Sequence, residues 1–275
     1  MVSLEDLPNE ILVKIFGYLS IKELFQCGQV SHRLRKLSKE KSFWKKIYVL
    51  GQVIPEKCME QIIRNNVKSL GLYGCTVPPV NSQFLKDHEL DLRHLSISDG
   101  CNGNDDFLAS LVACSQSLEK LDLSESRFDL VSKCIENIPK QNFIKSIDLS
   151  AILPDLDFKS VQTIVDNCRE LSEISFYGTC LSSDSIDYIC NNLSEKVISI
   201  DFSAESVTDD NITALVQRCN RLEHLNLCDT DVTYSGVIEI IETLSNSLIN
   251  LSLPQEVGLE LGLHEMPDME VDGRL

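Results

Sequence analysis

The chain has no run approaching the ~20 apolar residues that a bilayer span requires. Its first residues, Met1-Val2-Ser3-Leu4-Glu5-Asp6, lack the basic stretch and apolar core of a secretory signal. Positive charge is scarce: 25 Lys+Arg stand against 42 Asp+Glu, for a net −17. That balance argues against a general binder of nucleic acid or anionic lipid headgroups. No two cysteines are spaced C-x-x-C, and no glycine-rich phosphate loop occurs. The five histidines, His32, His88, His94, His224 and His264, stand apart from any nucleophile- or metal-type motif. Neither catalysis, nor a metal, nor a cofactor is therefore expected.

What positive charge there is sits at one end. Residues 1–50 carry nine basic and five acidic residues, and the remainder 16 and 37. A change of sign near residue 50 suggests two modules with different partners. The eleven cysteines are odd in number and come without a secretory signal, so buried thiols in a reducing compartment, cytoplasmic or nuclear, are expected. The sequons at Asn192, Asn211 and Asn250 are then silent.

The stretch Leu222-Glu223-His224-Leu225-Asn226-Leu227-Cys228-Asp229-Thr230-Asp231-Val232 reads L-x-x-L-x-L-x-x-T-x-V, and its central apolar residues alternate as a half-buried strand requires. The same frame starts at Val67, Leu92, Leu118, Ile144, Leu171, Val197, Leu222 and Leu248, at intervals of 25, 26, 26, 27, 26, 25 and 26. A fixed period of that size marks a solenoid, in which no unit buries its apolar face alone. Between the strands lie helical patterns: Asp105 to Cys114, Phe158 to Cys168, Ser183 to Cys190, a stretch capped by Thr208 or Asp209 and closed by Cys219, and Ser235 to Leu244. Strand plus helix with a closing cysteine resembles the cysteine-containing class of leucine-rich repeats. The fold class expected is α/β, a horseshoe with a parallel sheet on the concave face and helices on the convex face. Pro78-Pro79 and the loop to Leu90 leave little room for a helix in one repeat.

Ahead of the repeats, residues 4–49 read as short helices. Leu7, Ile11, Leu12, Ile15, Phe16 and Leu19 recur at helical spacing, with Asp6 or Ser3 as candidate cap, and Ser20 as the cap of a second helix. Three such helices bury too little to be comfortable alone, so the unit should pack against something else. Leu7-Pro8-x-Glu10-Ile11-Leu12-x-x-Ile15-Phe16-x-Tyr18-Leu19-Ser20, followed by Leu24, Cys27, Val30-Ser31, Leu34, Leu37 and Trp44, resembles an F-box. Leu34 stands where many F-boxes carry tryptophan. The resemblance implies that Leu7, Pro8, Ile11, Leu12, Ile15, Phe16, Leu19 and Leu24 bind the Skp adaptor and, through it, cullin.

The expected organisation is an F-box over 1–50, a rigid helical linker over 51–66, the solenoid over 67–253 and an acidic tail over 254–275. Trp44, Ile47, Tyr48 and Leu50 should lie against the first repeats. Leu259, Leu261, Leu263 and Met266 offer apolar cover for the open end of the last repeat, with disorder beyond Pro267.

The residue between the last two apolar positions of each frame faces the concave side. That column reads Gly71, Ser96, Asp122, Asp148, Ser175, Asp201, Asn226 and Ser252. Candidate substrate contacts are Asp122, Asp148, Glu173, Tyr177, Asp201, His224 and Asn226, with a Lys- or Arg-bearing protein segment across the aspartates. Like charges on neighbouring strands repel slightly, which a bound cation would relieve. His94 and His224 lie five strands apart, roughly 24 Å at about 4.8 Å per strand, too far to share a ligand. The resemblance implies a substrate-recognition subunit of a Skp–cullin–F-box ubiquitin ligase, itself non-catalytic. The alternative is an acidic repeat scaffold that delivers nothing for ubiquitylation.

Overall fold

The computed structural model describes residues 4–19, 21–88, 90–127, 131–140, 143–153 and 156–261. In each frame the apolar positions turn inward and the residues between them turn out. Leu222, Leu225 and Leu227 are buried, while His224 and Asn226 are half-buried. The resulting strands are short: β1 (Lys46–Leu50), β2 (Ser69–Tyr73), β3 (Thr76–Val77), β4 (His94–Ser98), β5 (Asn102–Gly103) and β6 (Lys120–Asp122). They continue as β7 (Ser146–Asp148), β8 (Glu173–Ser175), β9 (Ser199–Asp201), β10 (His224–Asn226) and β11 (Asn250–Ser252). Nine form one sheet in the order β1-β2-β4-β6-β7-β8-β9-β10-β11, and β3 pairs with β5 separately. Every pairing is parallel, with a register of one repeat, so Leu225 meets Ile200 on one side and Leu251 on the other.

A second regularity follows each strand. Gly51, Gly74, Asp99, Glu125, Ala151, Gly178, Ala204 and Asp229 all hold φ between +50° and +60°. Each sits two residues after the last apolar position of its strand, where the chain turns out of the sheet. Glycine occupies this left-handed position without steric cost; Glu125, Ala151 and Ala204 do not. The ladder is what holds them there: the Glu125, Ala151 and Ala204 amides donate to the Ser150, Tyr177 and Cys228 carbonyls of the next repeat.

The helices are α1 (Asn9–Phe16), α2 (Ile21–Val30), α3 (His32–Ser38), α4 (Glu56–Arg64), α5 (Ser82–Lys86), α6 (Asp105–Cys114), α7 (Val131–Glu136), α8 (Phe158–Asn167), α9 (Ser183–Asn192), α10 (Asp209–Arg218), α11 (Tyr234–Leu244) and α12 (Gln255–Glu260). Several start on side-chain caps. Asn104, Asp157 and Ser182 accept from the amides of Phe107, Ser160 and Ser185. At α10 the cap is Thr208, whose amide and hydroxyl both donate to Asn211 Oδ1 at 2.9 Å.

One continuous core runs from Trp44 to Val257, and a separate small one holds Leu12, Phe16, Leu24 and Leu34. Within the large core the rings of Phe176 and Phe202, on successive repeats, stack 5.8 Å apart.

Four expectations change. The sheet begins at Lys46, not at residue 67: β1 pairs with β2 from Lys46↔Ser69 to Leu50↔Tyr73. Tyr48 and Leu50 are therefore exposed residues of an edge strand, while Trp44 and Ile47 are buried. Strand alternation sends Ile47 in and its neighbours out. The Pro78-Pro79 repeat does contain a helix, the five-residue α5, capped by Asn81 Oδ1. Pro8, not Asp6, occupies the cap position of α1, and Ser3 and Ser20 lie outside the described residues. At the far end, Val257 and Leu261 of the α12 region pack on the core, while Leu259 is exposed; Leu263 and Met266 lie outside the described residues.

Candidate functional site

Two surfaces can do work, one on the helical unit and one on the sheet. In α1 the apolar residues do not form a single face. Leu12 and Phe16 point into the small core with Leu24 and Leu34, and Leu7 and Leu19 are half-buried against it. Ile11 and Ile15, one turn apart, face solvent at 41% and 36% exposure, with Tyr18 beyond them at 91%. The physical reason is that three short helices have few apolar residues, and a core must be filled first. Leu12, Phe16 and Leu24 are spent there and have no surface left to offer an adaptor. Of the eight expected adaptor contacts, Pro8, Ile11 and Ile15 remain exposed. The expected contacts leave out the exposed Leu4 and Val30. Arg33 ties the unit together: its guanidinium donates to Asn9 Oδ1 at 2.7 and 3.0 Å and to the Leu7 carbonyl at 2.6 Å.

On the sheet, Asp122, Asp148, Glu173, Asp201, His224 and Asn226 share one outward face of neighbouring strands, while Tyr177 lies in the turn after β8. Asp122 pairs with Asp148, Asp148 with Ser175, Ser175 with Asp201, and Asp201 with Asn226. Glu173 is met by Lys120, whose ammonium reaches it at 4.0 Å over the intervening β7. Tyr177 is about half exposed and His224 half-buried.

The aspartates are engaged locally. Asp122 Oδ1 accepts from the Ser124 amide and hydroxyl, and its Oδ2 from Ser96 Oγ at 2.6 Å. Asp148 accepts likewise from Ser150, and Asp201 from Ser203. Asn226 accepts from the Cys228 amide in the same way. The signal was in the sequence as Asp122-Leu-Ser124, Asp148-Leu-Ser150 and Asp201-Phe-Ser203, an acceptor two residues before a hydroxyl. These carboxylates tie down the turn that carries the left-handed residue. A cationic partner is not needed to account for their presence.

Behind this face, Glu205 is buried in the turn after β9. Its carboxylate accepts from the amides of Thr179, Cys180 and Leu181 and from the Thr179 hydroxyl. Burial pushes its pKa up, and the three amides pull the other way. All eleven cysteines are free thiols. Burial pushes Cys134 and Cys190 up to about 12 and Cys101 and Cys219 up to about 11, whereas Cys180 is exposed. Among the described residues no cluster of metal-ligating side chains occurs, and no helix is long and apolar enough to cross a membrane.

Residues 4–50 match the family model of F-box-like domains. Over 228 residues, 80% of this chain, the sequence is 21% identical to mouse F-box/LRR-repeat protein 21 and covers 44% of that protein. Over 42 residues it is 48% identical to bovine F-box/LRR-repeat protein 5, covering 15% of this chain and 6% of that protein. The chain has the architecture of an F-box/leucine-rich-repeat protein. It spans less than half the length of these curated relatives. Among solved structures, an internalin from Listeria monocytogenes aligns at 14% identity with a TM-score of 0.45, covering 82% of this chain and 80% of that one. The F-box-like span includes β1, so the F-box module and the repeats share a sheet and, through Trp44 and Ile47, the large core. F-box/leucine-rich-repeat proteins are in general non-catalytic adaptors.

Proposed function

We propose that this chain is the substrate-recognition subunit of a Skp–cullin–F-box ubiquitin ligase. The observation that carries the reading is the split in α1. A small F-box-like unit has filled its own core with Leu12, Phe16, Leu24 and Leu34, and still presents Ile11, Ile15 and Tyr18 to solvent. Exposed apolar side chains on such a unit mark a docking face. We assign that face to the Skp adaptor, with cullin joined through it. The functional division follows as docking by residues 1–50, a linker over 51–66, target binding by 67–253 and no assigned role for 254–275.

The ligase role needs no chemistry from this chain. Because β1 belongs to the sheet, a target on the concave face is held at a set position relative to the adaptor, which raises its effective concentration near a ubiquitin-loaded enzyme. We assign the target to a protein segment bearing Lys or Arg, lying over Asp122, Asp148 and Asp201 and flanked by Glu173, Tyr177, His224 and Asn226. Among the described residues the second carboxylate oxygens of Asp148 and Asp201 accept no hydrogen bond, and these are the acceptors we assign to it. A cytoplasmic or nuclear location, where thiols stay reduced, suits this role.

The test is co-purification with the Skp adaptor and cullin, followed by transfer of ubiquitin to proteins captured on the repeats. Recovery of both subunits with the parent chain, and reduced recovery of both with an Ile11→Ala/Ile15→Ala variant, is the expected result. Capture of targets without adaptor or cullin would instead identify an interaction scaffold.

A further inference from the structure

A cavity of about 300 Å³ opens where the helical unit meets the first repeat. Its apolar lining is Leu24 of α2 and the indole of Trp44, both almost fully buried. Ser38, 94% covered, contributes the one buried hydroxyl, which donates to the Arg35 carbonyl. A Cβ at Gly28 would meet that hydroxyl at 3.0 Å, so α2 and α3 are already in close contact there. Arg35 and Lys39 stand at the same cavity, and α4 adds Gln61. Arg35 is held in place by an Nε donation to the Gly28 carbonyl at 2.7 Å, which among the described residues leaves its other N–H groups for a ligand.

The cavity is positive, as is the N-terminal end of the chain that supplies most of its lining. Two cations and no carboxylate line it, in a protein with a net charge of −17. Several cations of the repeats, Lys68, Arg93, Lys145, Lys159 and Lys196 among them, each pair with a carboxylate. Among the described residues neither Arg35 nor Lys39 has an ion-pair partner. A concave site with apolar lining and a few convergent polar groups is the usual form of a small-ligand pocket, and 300 Å³ lies at its lower size limit.

We propose that this cavity binds a small amphipathic anion. A flat aromatic or branched aliphatic body fills the cavity beside Trp44 and along the methylene stems of its polar lining, and a phosphate or carboxylate meets Arg35 and Lys39 by charge-assisted hydrogen bonds. Because the lining comes from α2, α3 and Trp44 on one side of the junction and Gln61 on the other, the ligand bridges the F-box-like unit and the repeats. Occupancy therefore stiffens the joint between adaptor and target, whatever either of those turns out to be.

Trp44 is the chain's single tryptophan, so its emission reports on this site alone. The experiment titrates the full chain with phenyl phosphate, with benzyl alcohol as the neutral body and with inorganic phosphate as the bare charge. Phenyl phosphate should give a saturable change in Trp44 emission and raise the unfolding temperature. The other two probes should bind at least about tenfold more weakly, since each lacks one half of the recognition. Lys39→Gln and Arg35→Gln should each weaken phenyl phosphate roughly threefold or more, as expected on losing a charge-assisted bond. Lys39→Gln, which breaks no bond within the described residues, keeps the comparison valid if Arg35→Gln disturbs the fold. No saturable change, equal response to benzyl alcohol, or unchanged affinity in a folded Lys39→Gln would each overturn the proposal.

Discussion

Substitutions one position apart in α1 should fail in opposite ways. Ile15 and Ile11 have roughly two-fifths of their surface left to bury, at 36% and 41% exposure. Burying a whole isoleucine contributes about 1.5–3 kcal/mol, so the uncovered fractions of the pair contribute about 1–2 kcal/mol on docking. Ile11→Ala/Ile15→Ala should therefore weaken adaptor binding about five- to thirtyfold while the helical unit stays folded. Phe16, only 1% exposed, is a different case. Phe16→Ala empties the largest residue of a core built on four fully buried side chains, at a cost of about 3–5 kcal/mol. A unit that small has no such reserve, so its helices should melt and adaptor binding should vanish with them. Circular dichroism and titration of purified adaptor separate the two outcomes. The reasoning is refuted if Phe16→Ala keeps parental helicity and stability, or if the folded isoleucine pair variant binds the adaptor as the parent does.

Asp122→Asn/Asp148→Asn should leave thermal stability close to the parent's, because Asn226 already performs the same turn contact with an amide oxygen. If a basic segment binds there, the variant captures it more weakly and with a shallower salt dependence; parental affinity at two ionic strengths places the target elsewhere. Native-state thiol labelling should modify Cys180 first and leave Cys101, Cys134, Cys190 and Cys219 protected until denaturant is added, and rapid native labelling of those four would contradict their burial. Glu205→Gln replaces one accepting oxygen with an NH2 that faces the Leu181 amide, so it should cost about 1–3 kcal/mol. The Glu205 pKa is raised in the native state, so between the unfolded and native values the folded chain holds more protons and gains stability as pH falls. The deficit of Glu205→Gln, followed by denaturant melts, should accordingly widen as pH drops from neutral towards 4.5, the ordinary glutamate value; a deficit that shrinks on acidification would show that burial does not dominate.

The repeats were legible because their pattern is local and periodic. An apolar residue at the first, fourth and sixth positions, renewed every 25 to 27 residues, admits one efficient burial, strand beside parallel strand. The concave column was readable for the same reason: a strand alternates, so Asp122, Asp148 and Asp201 had to share a face once the frame was set. The F-box-like unit was legible from its motif.

Other features depended on what lay across the fold. Nothing local distinguishes Ile11 from Leu12 or Ile15 from Phe16; their roles were decided by which side α2 and α3 occupy, since a small core takes only the residues that face it. Trp44, Ile47 and Val49 also stand at the first, fourth and sixth positions of the frame, but 23 residues ahead of Val67, outside the 25 to 27 of the repeats, so it is the pairing with the edge of β2 that identifies the strand. The left-handed Glu125, Ala151 and Ala204 have no propensity to recommend them and are held by carbonyls one repeat away. Sequence alone determined the period, the inward residues and the outward column of each strand, because each depends on neighbours along the chain. Tertiary structure decided which apolar residues are free to bind, where the sheet begins, and that two cations meet at one junction, because those depend on what packs beside them.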